Sequence, residues 1–186
     1  EGLFAELLGR AAGVCGAKGG SMHVADVSVG SLGANGIVGG GLPIAVGSAL
    51  TSYILGNPTV TVAFFGDGAV NTGSFHESLN LAAIWKLPVV FVCENKLYGQ
   101  VSQTGTLTAA ESITARAAAY GIEATQVDGS DVLAVHEVAH AAVAATRAGR
   151  GPRFIEGRCF RVRGHVEGDL VFLGGQRYRS DDEVEK

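Results

Sequence analysis

Two continuous apolar runs of β-branched and aromatic residues, separated by one amphipathic stretch, restrict the fold of this 186-residue chain more than any other feature. Thr59-Val60-Thr61-Val62-Ala63-Phe64-Phe65 is entered through Asn57-Pro58 and left through Gly66-Asp67-Gly68, and Val89-Val90-Phe91-Val92-Cys93 follows Leu87-Pro88. Strands without a polar face are buried on both sides and bounded by Gly and Pro signals. Between the two runs Phe75, Leu79, Ala82 and Ala83 recur at helical spacing, and Ser74-Phe75-His76-Glu77 reads as a capping box that opens a helix over 74–86. Residues 59–93 therefore predict one strand-helix-strand crossover with its strands parallel.

The alternation continues as a helix over 112–120, a strand near 125–127, a helix over 131–148 closed by Gly149, and a strand over 154–160. This is the α/β class, a parallel sheet flanked by helices, in one domain over 1–186 with a mobile loop and a helix start over 165–186. Forty consecutive residues between Asp26 and Asp67 carry no charge, but Gly39, Gly40, Gly41, Pro43, Ser48, Thr51 and Ser52 interrupt them. They predict a buried helix over 42–55 that wants neighbours on all sides, and no membrane span. Fourteen Lys and Arg against eighteen Asp and Glu leave no basic field for nucleic acid. Three widely spaced cysteines, Cys15, Cys93 and Cys159, read as reduced intracellular thiols. No leader pattern opens at Glu1, and the chain reads as a fragment.

Glycine supplies 28 residues, about 15% and roughly twice ordinary usage, so a site built of backbone is expected. Gly66-Asp67-Gly68-Ala69 puts a carboxylate at the carboxyl edge of a parallel sheet, where open α/β sheets bind ligands. The next strand ends on the same edge in Glu94-Asn95-Lys96-Leu97-Tyr98. Asp67 and that loop would face one crevice and suit a hard cation bridging phosphate oxygens, or Asp67 would merely cap the following helix. Position 71 is Asn, so the dinucleotide pattern G-x-G-x-x-G is not met. Gly33, Gly36 and Gly39 keep a three-residue beat that would lay backbone against a flat ring or make a tight turn between packed elements. Glu77 is explained by capping, and His76 by solvation. His136-Glu137-Val138-Ala139-His140 matches the zincin pattern, with Glu156 or Glu167 as the candidate third ligand, although these residues share the polar face of an Ala/Val-rich helix.

Four segments together carry a resemblance: Gly19-Gly20-Ser21-Met22-His23, Gly36-Ile37-Val38-Gly39, Phe65-Gly66-Asp67-Gly68-Ala69, and Trp85 through Asn95. In order, over nearly the whole chain up to Arg163-Gly164-His165, the sequence resembles the alpha subunit of thiamine-diphosphate-dependent 2-oxo acid dehydrogenases, nearest the pyruvate and acetoin branches. The resemblance implies a thiamine-diphosphate-binding fold and a site shared with a beta subunit, in an α2β2 assembly. Gly36, Ile37 and Val38 would meet the aminopyrimidine through backbone, Asp67 would bind Mg²⁺, Gly68 and Ala69 would border the diphosphate, and the Tyr98 carbonyl would be a further metal ligand. His165 would be the catalytic residue near the diphosphate. It further implies oxidative decarboxylation of pyruvate or a related 2-oxo acid, or cleavage of acetoin, with acyl transfer to a lipoyl acyltransferase component. The cofactor supplies the carbon nucleophile and electron sink.

Three departures from that family pattern stand out. The family motif ends Asn-Asn and its second Asn coordinates the metal, whereas this chain has Lys96 in that slot, and a protonated ammonium is no ligand. Either Asn95 shifts into the role, or Lys96 pairs with Asp67 and the diphosphate in place of the cation, or binding is lost, leaving a non-catalytic assembly subunit. The upstream segment that supplies a diphosphate-binding arginine does not precede Glu1 in this sequence, nor do the carboxy-terminal helices follow Lys186. Val166 stands where mitochondrial pyruvate enzymes carry a regulatory serine, and Val166-Glu167-Gly168-Asp169 resembles bacterial forms, for which the cytoplasm is the expected location, with an organelle matrix left open.

Overall fold

A computed structural model describes residues 1–161, 164–166 and 168. In chain order the elements are α1 (Gly2–Leu7), α2 (Gly41–Ile54), β1 (Thr61–Gly66), α3 (Gly73–Ile84), β2 (Val89–Asn95), β3 (Tyr98–Gly99), β4 (Ser102–Gln103), α4 (Thr104–Leu107), α5 (Ile113–Ala118), β5 (Glu123–Asp128), α6 (Val132–Arg147) and β6 (Arg153–Arg158). Short 3₁₀ turns lie at Val27–Val29 and Asp67–Asn71. Four strands form one wholly parallel sheet in the order β1-β2-β6-β5, and β3 and β4 form a small antiparallel hairpin.

The two-fold alternation of strand side chains sorts the core into two layers. Val89, Phe91 and Cys93 of β2 and Phe154 of β6 enter a cluster with Leu42 and Val46 of α2, Phe75 and Leu79 of α3, and Ile113 of α5. Val90 and Ile155 point the other way, against Ala142, Val138 and Val143 of α6. The expected crossover is realised as β1-α3-β2, with Thr61 opposite Val89 and Gly66 opposite Glu94.

Helix starts follow local chemistry. The Ser112 hydroxyl accepts the Ala115 N–H at 3.0 Å, and the Asp131 carboxylate accepts the N–H groups of Leu133 and Ala134 at 3.0 and 3.1 Å. The capping box expected at Ser74 and Glu77 is not formed. Thr72 is the N-cap, accepting the Phe75 N–H at 3.3 Å, while Ser74 Oγ donates to the Gly39 carbonyl at 3.2 Å and Glu77 is exposed. The polar face of α3 made both positions plausible, and a tertiary contact decided between them.

The uncharged stretch does form α2, with Leu42, Ala45, Val46 and Ala49 buried, but its other face leaves Ile44, Tyr53 and Ile54 exposed. Among the described residues no helix is long and apolar enough to cross a membrane. The loop and helix start expected over 165–186 lie almost wholly outside the described residues, as does Glu167.

Candidate functional site

The parallel register brings the ends of β1 and β2 side by side, so the 67–71 turn and the 95–98 bend share the carboxyl edge of the sheet. The Lys96 N–H lies 3.4 Å from Asp67 Oδ1, and the Thr104 hydroxyl donates to Asp67 Oδ2. The edge is more closed than the sequence suggests. Asp67 does not face an open crevice: it is 2% exposed, with the β3-β4 hairpin and α4 packed on its turn. Gly68 and Gly99 explain how the roof fits: a Cβ on either would come within 3.3–3.4 Å of the other's backbone, so both glycines serve a close approach of two chains. Ala69 is buried below them.

Past Asp67 the bend is built around Asn95. Its Nδ2 donates to Glu156 Oε1 at 2.7 Å and its Oδ1 accepts the Leu97 N–H at 2.9 Å. Leu97 takes a left-handed φ of 64° and its carbonyl accepts the Thr104 N–H at 2.9 Å. Lys96 Nζ pairs with Glu94 Oε2 at 2.5 Å, on side chains 28% and 51% exposed. The Asn95 amide is turned to Glu156 because β6 lies beside β2 and carries that carboxylate inward.

Gly36, Ile37 and Val38 sit on a loop running into α2. Asn35 Oδ1 accepts the Ile37 N–H at 2.8 Å, and Ile37 and Val38 are 73% and 64% exposed. Gly39, at φ 77°, packs against Thr72 and Ser74, and the Thr72 hydroxyl bonds the Ala69 carbonyl at 2.8 Å, so this loop is tied to the turn that carries Asp67. His165 is exposed and joined to the same edge through Arg161, which contacts His165 Nδ1 at 2.9 Å and donates to the Gln100 carbonyl at the hairpin tip.

The zincin pattern gathers no site. His136 and His140 stack at 6.2 Å on the exposed face of α6 with Glu137, and no three metal-binding side chains converge among the described residues. Glu156, one candidate third ligand, is buried on β6 and bonded to Asn95 and to the Thr114 N–H.

The amino-acid pattern gave no hint of Thr104, Arg116 or Arg161. Arg116 bonds Asn71 Oδ1 at 2.6 Å and His76 Nε2 at 3.0 Å, and His76 Nδ1 reaches the Tyr120 hydroxyl at 2.6 Å. His76 is thus half-buried in a network, not solvated as expected. Glu156 did leave a signal, a carboxylate inside the apolar strand Phe154-Ile155. Burial, with the carboxylates of Asp67 and Glu156 adding to it, pushes the Cys93 thiol far above its ordinary range, and burial also raises Cys159 against the opposing Lys96 ammonium. All three cysteines are free thiols.

Residues 1–186 match the dehydrogenase E1 component family along their whole length. The chain belongs to that family. This E1 chain is 51% identical over 183 residues to the acetoin:2,6-dichlorophenolindophenol oxidoreductase alpha subunit of Bacillus subtilis, covering 98% of the chain and 54% of that protein. It is 42% identical over 186 residues to the pyruvate dehydrogenase E1 alpha subunit of Rhizobium meliloti, covering 100% of the chain and 52% of that protein. The E1 chain thus spans about half the length of these relatives. Among solved structures, a Mycobacterium smegmatis protein assigned as a thiamin diphosphate-dependent enzyme superposes with a TM-score of 0.57 at 27% identity, over 71% of this chain and 24% of that one.

Ile37 and Val38 are apolar and exposed, and the Lys96 ammonium is paired with Glu94 at the end of β2. A hard cation takes oxygens from carboxylates, carbonyls, waters and phosphates; at this edge Asp67 is engaged by Thr104, the Asn95 amide by Glu156 and Leu97, and position 96 carries an ammonium.

Proposed function

We propose that this E1 chain is the cofactor-binding part of the alpha subunit of a thiamine-diphosphate-dependent dehydrogenase that acts on pyruvate, a related 2-oxo acid or acetoin. A beta subunit completes the active site, the acyl group passes to a lipoyl acyltransferase component, and the assembly works in the cytoplasm of a bacterial cell. The observation that carries this is the juxtaposition, on adjacent parallel strands, of Asp67 with the 95–98 bend, tied through Thr72 and Ser74 to the glycine-rich loop at 36–39. The higher identity to the acetoin relative puts a hydroxyketone first among substrates to assay.

The bound cofactor supplies the nucleophilic carbon and the electron sink. The chain's own residues position it. Gly36, Ile37 and Val38 hold the aminopyrimidine against backbone, Gly68 and Ala69 border the diphosphate, and Asp67 fixes the turn between them. The Lys96 pair with Glu94 is partly exposed and worth about 0–1 kcal/mol, so the ammonium can turn to a diphosphate at small cost and take over part of a cation's charge. The Tyr98 carbonyl remains the candidate ligand if a metal does enter. His165, held by Arg161 at the hairpin tip, is the residue we assign to proton exchange with substrate.

Calorimetry of thiamine diphosphate with the complete alpha polypeptide and its beta subunit tests the reading. Wild type takes up cofactor, and both Asp67→Ala and the near-isosteric Asp67→Asn weaken uptake by about tenfold or more, the loss of one charge-assisted contact of at least about 1.4 kcal/mol. Failure of wild type to bind cofactor sinks the proposal and favours an assembly subunit, and stoichiometric zinc lost in His140→Ala would favour a hydrolase.

A further inference from the structure

Glu156 is a buried carboxylate that the binding scheme above does not use. It lies on β6 opposite Cys93 of β2 and is 3% exposed between apolar neighbours. An ionised carboxylate is acceptor-only, and burying it requires donors. It finds them on two other elements: Oε1 accepts from Asn95 Nδ2 at 2.7 Å and Oε2 from the Thr114 N–H at 3.3 Å, in the first turn of α5.

An amide can present either its NH₂ or its oxygen, and a carboxylate neighbour removes that choice. With NH₂ held by Glu156, the Asn95 oxygen must face the chain ahead, where it accepts the Leu97 N–H at 2.9 Å. That bond shapes the bend in which Leu97 turns left-handed, the Lys96 N–H comes toward Asp67 Oδ1, and the Leu97 carbonyl takes the Thr104 N–H, setting the hydroxyl that donates to Asp67 Oδ2. Both groups in contact with Asp67 thus depend on the orientation of one buried amide.

We propose that Glu156 is a positioning residue for the cofactor edge: by fixing the orientation of Asn95 it sets the 95–98 bend and, through Thr104, the roof over Asp67. The proposal rests on the thiamine-diphosphate reading for its consequence, and on the hydrogen bonds alone for its geometry.

A reciprocal swap tests it, in the complete alpha polypeptide with its beta subunit. Asn95→Asp sets two carboxylates against each other. Glu156→Gln leaves one oxygen to serve both Asn95 and Thr114. In the double variant the new glutamine amide donates to the new aspartate, its oxygen serves Thr114, and the aspartate's second oxygen serves Leu97, so every bond is restored with the first reversed. Hydrogen exchange without cofactor is read at the amides of Lys96, Leu97 and Thr104, and thiamine diphosphate affinity is read separately.

Asn95→Asp is expected to speed exchange and weaken affinity by about tenfold each, the scale of leaving a buried polar group unpaired, with Glu156→Gln intermediate and the double variant within about threefold of wild type. Protection in Asn95→Asp equal to wild type overturns the proposal. So does a folded double variant no better than the worse single one. If wild type binds no cofactor, the functional reading and the cofactor half of the proposal fall together, while the exchange pattern still decides whether Glu156 sets the bend.

Discussion

At the scale of single residues, buried carboxylates define both ends of the chemistry. Glu6 is 1% exposed and accepts four backbone N–H groups: Cys15 and Ala17 on Oε2 at 2.9 and 2.8 Å, Gly19 and Gly20 on Oε1 at 2.7 and 3.1 Å. Burial alone would raise its pKa, but the four amide bonds together outweigh it and hold the carboxyl below its ordinary value. The Gly19-Gly20 motif that supported the family resemblance is therefore the wall of a carboxylate nest. A group whose folded pKa is depressed contributes stability above its ordinary range, and that contribution is lost as pH falls through the lowered folded value. Amide protection over 13–20, taken relative to the unstructured-chain exchange rate at each pH, should fall on acidification below the ordinary carboxylate range. Glu6→Gln should already exchange fast at neutral pH, and a flat profile in wild type would count against the nest. Lys96 supports a second expectation: thiamine diphosphate affinity depends weakly on Mg²⁺ in wild type and more steeply in Lys96→Asn. Equal, tight metal dependence in both proteins would refute the idea that an ammonium substitutes for the ion.

At the scale of elements, the join between the 36–39 loop and α3 matters most, because it couples the ring-facing and diphosphate-facing sides of the proposed site. Ser74 makes the bond across it, to the Gly39 carbonyl, and Thr72, packed on Gly39 and 2.9 Å from the Ser74 hydroxyl, accepts the Phe75 N–H as N-cap and donates to the Ala69 carbonyl. Thr72→Ala should lower stability by about 1 kcal/mol, the usual cost of a lost cap, and weaken cofactor affinity as well. Denaturant titration and calorimetry read the two effects separately, and a loss of stability with unchanged affinity would reduce Thr72 to a cap. At Gly39 a Cβ would stand 2.6 Å from both Thr72 Oγ1 and Ser74 Oγ at φ 77°, so no side chain fits there. The Arg116 network is a second such join, linking α5 to Asn71 at the end of the 67–71 turn.

At the scale of the whole molecule, Phe75 holds the layers together. It is fully buried and meets Phe65 of β1 and Phe154 of β6 edge-on, at ring distances of 6.0 and 6.3 Å. Phe75→Ala should cost about 3–5 kcal/mol in a denaturant titration, a large share of the stability of any domain this size. A cost under about 1 kcal/mol would mean that the helix layer packs without it. Among the described residues β1 is an edge strand, and its Phe64 and Val62 are exposed at 69% and 40% while α6 packs on β2, β5 and β6.

The amino-acid pattern by itself determined the layers and the strand-helix-strand unit, because apolar periodicity and Gly/Pro punctuation are local signals that survive into the fold. It determined the family and the positions that meet at the carboxyl edge. What only the tertiary structure decided was which partner each polar group took. Thr72 rather than Ser74 caps α3, His76 is drawn into a network by Arg116, Thr104 reaches back to Asp67, and Asn95 turns to Glu156 across 61 residues of sequence. A buried polar group must find a partner wherever the fold supplies one, and that choice depends on neighbours brought by strand order, which no local spacing encodes.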